Sequence, residues 1–150
     1  MSAERAPRGR PGEGTRLTVG LRASITADVT DADTAQALGS GDVPVLGTPR
    51  LLALAEAACV AAVAPQLAEG QTTVGTAVSL EHKRASPIGA RIEVEAELAG
   101  IEGRRLFFNF IAYGPGTGDD AVIGAGTAER MLVDRERFSR GVRIAPAEGR

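Results

Sequence analysis

Apolar and polar residues alternate from Thr15 to Thr30, TRLTVGLRASITADVT, with enough β-branched side chains to predict one or two strands. The next stretch, DADTAQALGSGD, is rich in Asp, Gly and Ser and reads as a short helical turn and a loop. The pattern then becomes almost continuously apolar from Val45 to Ala64, VLGTPRLLALAEAACVAAVA. Thr48 before Pro49 predicts a helix start, with threonine capping the free amides and proline at the first helical position. The helix is expected to run to about Ala64 and stop before Pro65. Because its surface is alanine and leucine on nearly every side, it is expected to be enclosed.

Beyond PQLAEGQ the period shortens again. TTVGTAVSLEH, ARIEVEAELAG, RLFFNFIAYG and VIGAGTAERMLV read as strands, with no second helix of comparable length. Ile92, Val94, Ala96 and Leu98 share one face and Glu93, Glu95 and Glu97 the other, as in a half-solvated antiparallel strand. The glutamate ladder is therefore a wet face and not a metal site. Gly103, in IEGRR, is available for the positive φ of a tight turn. GPGTGDD lacks the lysine and Ser/Thr of a phosphate loop and opens no helix, so it reads as a plain turn. One long helix against a long antiparallel sheet predicts an α+β layered domain over residues 15–138, with a flexible leader at 1–14 and a frayed tail at 139–150.

Composition narrows the function. With 43% apolar and 24% charged residues, the chain encloses one core. A net charge of -2 argues against nucleic-acid binding, which needs a basic face. The apolar run is roughly fourteen residues, too short for a bilayer, and Glu56 interrupts it. No signal-like apolar segment opens the chain, so a cytoplasmic protein without a membrane partner is expected. Cys59, the single cysteine, lies within the helix; it excludes an internal disulfide and reads as a buried structural thiol in a reducing compartment. No motif calls for a metal or cofactor.

Three polar residues stand out against this background. Glu56 sits mid-helix, where burying an ionised carboxylate costs several kcal/mol unless it is paired. Thr48 has a sufficient reading as a cap, and His82, the only histidine, as a surface residue ending the strand after the helix. Eight residues of helix rise ~12 Å, so Thr48 and Glu56 of one chain cannot share a hydrogen bond. The expected route to their cooperation is a two-fold dimer whose helices run antiparallel.

VLGTPRLLALAEAAC, TTVGTAVSLEHKRASPIG, EVEAELAGIEGRRLFFNFIAYG and IGAGTAERMLVDRERF together resemble the hotdog-fold acyl-CoA thioesterases, most closely the fluoroacetyl-CoA thioesterase group. The resemblance covers roughly Thr15 to Phe138. It implies a long helix wrapped by a curved antiparallel sheet, a homodimer with acyl-CoA at the subunit interface, and a Thr, Glu and His catalytic set falling on Thr48, Glu56 and His82. Gly75 matches the glycine lining the acyl pocket, and Arg130 the arginine of the last strand. Whether dimers pair into tetramers stays open. Lys83, Arg84 and Arg91 are the candidates for the coenzyme's phosphates.

Thioester hydrolysis needs a base for water, oxyanion donors and a path for protons, which Glu56, the helix-start amides and His82 can supply. Thr48 fits either a nucleophile or a water-positioning group. The chain has no aromatic residue before Phe107, where the fluoroacetyl group is expected to carry a gate before the threonine and another aromatic after the glutamate. SGDVPVLGT and EAAC stand there, which predicts a roomier pocket and a different short or medium acyl-CoA. The alternative reading is a non-catalytic CoA or acyl-ligand binding protein on the same scaffold.

Overall fold

The computed structural model describes residues 16–142; the leader and most of the tail lie outside the described residues. Strand β1 (Arg22–Asp28) leads through a 3-10 turn (Asp31–Asp33) and the one-turn helix α1 (Ala35–Leu38) into helix α2 (Thr48–Val63). Strands β2 (Gln71–His82), β3 (Arg91–Glu102), β4 (Arg105–Tyr113) and β5 (Val122–Asp134) follow, and helix α3 (Arg135–Gly141) closes the described chain. All strand pairs are antiparallel in one sheet ordered β1-β3-β4-β5-β2. The predicted α+β arrangement is present, with a single strand where one or two were expected before Thr30.

Helix α2 packs across β1, β3 and β4. Its buried residues, Leu51, Leu54, Ala55, Ala58, Cys59, Ala62 and Val63, recur at the spacing that lines one helical face. They meet Ile92, Val94, Ala96 and Leu98 of β3 and Leu106, Phe108, Phe110 and Ala112 of β4, all buried by strict alternation. Each large side chain in this layer contributes about 1.5–3 kcal/mol of burial. Glu93, Glu95 and Glu97 face outward, where Arg22 of β1 reaches Glu95 and Glu97.

The opposite side of α2 overturns the expectation of full enclosure. Ala53, Ala57, Val60 and Ala64 are exposed, because the sheet covers one face only. The helix and its following turn, Thr48–Gln66, also run to 19 residues, longer than the apolar stretch taken from the sequence. The buried part of this element, 39%, packs on the sheet.

The helix start differs by one residue from the sequence reading. Gly47 is the cap, with extended backbone, while Thr48 is the first helical residue and makes no capping hydrogen bond. The Gly47 amide is already tied to the Asp33 carbonyl at 2.9 Å, which fixes the entry turn and releases the Thr48 side chain. Arg50 Nε donates to Asp33 Oδ1 at 2.9 Å and anchors the first turn. Hydrogen bonding from the Thr30 backbone, helped by Arg50, holds the Asp33 carboxyl below its usual range.

Gly103 takes φ +60° in the β3–β4 turn, as expected. The GPGTGDD turn contains a 3-10 turn, Gly118–Ala121. The segment after β5 does not begin as a frayed tail: Asp134 accepts a hydrogen bond from the Arg137 amide at 2.9 Å, and this cap starts α3.

Candidate active site

The polar exceptions fall into two clusters. In the first, Thr48 Oγ1 and His82 Nδ1 are hydrogen-bonded at 2.8 Å, joining the start of α2 to the end of β2. Burial pushes the His82 imidazole below the usual histidine range, against a smaller opposing influence from the Arg84 backbone, so the ring is neutral at pH 7. Pro49 has no amide proton, and Arg50 and Leu51 donate to the Gly47 carbonyl. The Thr48 amide is thus left as the first-turn donor without a backbone partner among the described residues. Thr48 and His82 border a cavity of about 250 Å³ that is also lined by Ser40, Leu46, Lys83 and Arg84.

The second cluster lies two helical turns along α2. Glu56 Oε2 accepts from Arg130 Nη1 at 2.9 Å. Arg130, on β5, is only 7% exposed, and its other two nitrogens also donate: Nε to Thr73 Oγ1 at 2.9 Å and Nη2 to the Thr73 carbonyl at 3.0 Å. Glu56 is therefore neither stranded in an apolar wall nor free in water. Its carboxylate is half-open, with 36% of the side chain exposed, and fixed by a buried guanidinium.

Gly75 completes this cluster. A Cβ there would lie 2.6 Å from Glu56 Oε2 and 3.3 Å from Arg130 Nη1, so the bare backbone of β2 is what admits the carboxylate. Gly75 pairs with Arg130 across the sheet, and the register shifts just beyond, between Gly75 and Ala77.

The chain as a whole is similar to known proteins. A family profile described as fluoroacetyl-CoA-specific thioesterase matches residues 29–136. The chain belongs to this fluoroacetyl-CoA thioesterase family. The fluoroacetyl-CoA thioesterase of Streptantibioticus cattleyicolor is 41% identical over 99 residues, covering 66% of this chain and 68% of that one. A solved fluoroacetyl-CoA thioesterase is 34% identical with a TM-score of 0.76, over 87% of this chain and 98% of that one. A thioesterase superfamily member from Thermus thermophilus is 26% identical with a TM-score of 0.74, over 82% and 88% of the respective chains. The fold is the hotdog fold, as the sequence resemblance implied.

The structure thus brings Thr48, His82, Lys83 and Arg84 together, and separately Glu56, Gly75 and Arg130. Arg91 joins neither group; it is exposed at the start of β3 and bonded to Asp28 at 3.2 Å. His82 does not touch Glu56 within the chain. Thr73 was missed by sequence reasoning, although a polar β-branched residue two positions before Gly75 shares its strand face.

Proposed function

We propose that this thioester hydrolase cleaves short or medium acyl-CoA thioesters at a composite site between two copies of the chain. The observation that carries the reading is the Glu56–Arg130 pair seated on Gly75, in a chain of this family. Glu56 Oε2 is held by Arg130, leaving Oε1 to take a proton from water as the water oxygen attacks the thioester carbonyl. The C–S bond then breaks, and that proton leaves with the sulfur as free thiol. The Thr48 amide and hydroxyl would donate to the oxygen on which charge develops, the hydroxyl proton being free for this in the His82 tautomer whose Nδ1–H donates to Thr48 Oγ1.

The two clusters are ~12 Å apart along α2, too far to act on one carbonyl within a single chain. Strand β2 is an edge strand with Gly75–Ser79 exposed, and it also touches α2. An open edge 12 residues long is an invitation to pair. Two such edges running antiparallel bring the His82 end of one beside the Gln71–Gly75 end of the other. Such a pairing would bring Thr48 and His82 of one copy near Glu56 and Arg130 of its partner. Lys83, 4.0 Å from Glu81, and Arg84, 3.2 Å from Asp120, are exposed ion pairs that a coenzyme phosphate can replace at the cavity rim.

Thiol release from a panel of acyl-CoA thioesters tests the reading. Turnover is expected in the wild type, with at least a ~100-fold fall in Glu56→Gln, the size of losing a general base. Measurable CoA binding with no turnover of any member would leave a binding module instead.

A further inference from the structure

Arg130 is nearly buried, yet its guanidinium addresses Glu56 through a single donor, Nη1. A guanidinium on a flexible stem turns about its terminal bonds, so something must hold its plane. Thr73 is placed to do so. It pairs with Leu132 while Gly75 pairs with Arg130, which makes Thr73 and Arg130 diagonal neighbours on one sheet face. From that position one residue receives two donors: the hydroxyl takes Nε at 2.9 Å and the carbonyl takes Nη2 at 3.0 Å. The third side of the fork is left for Glu56.

Strand formation alone does not explain this hydroxyl. Valine is as good a strand former and nearly the same shape, and Thr73 is only 7% exposed, where an unneeded hydroxyl is a cost. The carbonyl acceptor would be supplied by any residue at this position, so the choice of threonine adds the Nε contact.

We propose that Thr73 is a positioning residue for hydrolysis: it fixes the plane of the Arg130 guanidinium so that Nη1 orients the Glu56 carboxylate toward water. Thr73 acts through Arg130 and does not touch the substrate. The proposal rests on Glu56 being the base.

The test compares full-length wild type, Thr73→Val, Thr73→Ser and Arg130→Lys, and the double variant of Thr73→Val with Arg130→Lys, on an acyl-CoA that the wild type hydrolyses. Thr73→Val is expected to lower kcat about tenfold, the loss of one hydrogen bond to a charged group. KM should change by less than about twofold, since ground-state binding is untouched. Thr73→Ser, which keeps the acceptor, should return kcat to within about twofold of wild type. In the Arg130→Lys background, adding Thr73→Val should cost less than about twofold more, because no fork remains to be held. If Thr73→Val does not fold, Thr73→Ala takes its place in the same cycle.

Wild-type kcat in Thr73→Val, a change confined to KM, or a serine variant as impaired as the valine one overturns the proposal. So does full additivity with Arg130→Lys. If the wild type turns over but Glu56→Gln does so equally well, it is the reading beneath the proposal that fails.

Discussion

Adding one methyl group at Gly75 provides a sharp separation between chemistry and folding. The new Cβ would stand 2.6 Å from Glu56 Oε2, whereas ordinary carbon–oxygen contact begins near 3.4 Å, so the carboxylate must retreat by roughly 0.8 Å. If Glu56 is the base, as proposed, a displacement of that size is expected to cost about 10²-fold in kcat, or ~2.7 kcal/mol of transition-state stabilisation. Stability moves little. Gly75 is not among the positive-φ glycines, so alanine fits its backbone and gains about 0.4–1 kcal/mol by restricting the unfolded chain. The strained or lost Glu56–Arg130 contact offsets this by about 1 kcal/mol, discounted because Glu56 is partly solvated. Steady-state thiol release and thermal unfolding of Gly75→Ala, run on the same samples, decide the matter. The expected pattern is a two-decade fall in kcat with Tm within a few degrees of wild type. Hydrolysis within threefold of wild type would refute the argument, and so would an activity loss matched by unfolding.

Two other outcomes follow from the same geometry. Because burial lowers the His82 pKa, the unfolded chain binds the proton more readily below about pH 6.5, so stability is complete above that value and falls with acidification through the folded pKa. Tm should therefore drop more between pH 7 and pH 5.5 in wild type than in His82→Asn, and equal drops would remove the assignment. Sedimentation should give a particle of twice the 15.4 kDa chain mass, whereas a single-chain particle that still releases thiol would exclude a site shared between copies.

Much of the fold could be read from hydrophobic period alone. The alternation of Ile92, Val94, Ala96 and Leu98 marked the buried face of β3 without ambiguity, since a strand has only two faces. Helix α2 was legible in length, but not in which face is buried or how much of it the chain leaves uncovered. Alanines read the same whether a sheet or a second copy of the chain covers them. The cap was misplaced by one residue because the Gly47 amide is claimed by Asp33, a contact between segments that no local rule contains. At the site, Glu56 announced itself by being costly, whereas its partner Arg130 lies 74 positions away. That pairing, and the reason Gly75 lacks a side chain, depend on strand register. Arg91 looked suitable by proximity in sequence to His82, but the turn between β2 and β3 carries it to Asp28.

Cys59 bears on how such a catalyst survives its own product. Each cycle of thioester cleavage liberates a thiol, and exposed protein thiolates attack the disulfide forms of such a thiol, displacing one of its sulfurs and leaving a mixed disulfide on the protein. The sole cysteine is wholly enclosed, and burial first of all, with Glu56 adding to it, raises its pKa to about 12. With almost no thiolate and no access, the protein offers its product nothing to couple to, so neither mixed disulfides nor disulfide-linked copies are expected as the thiol is released.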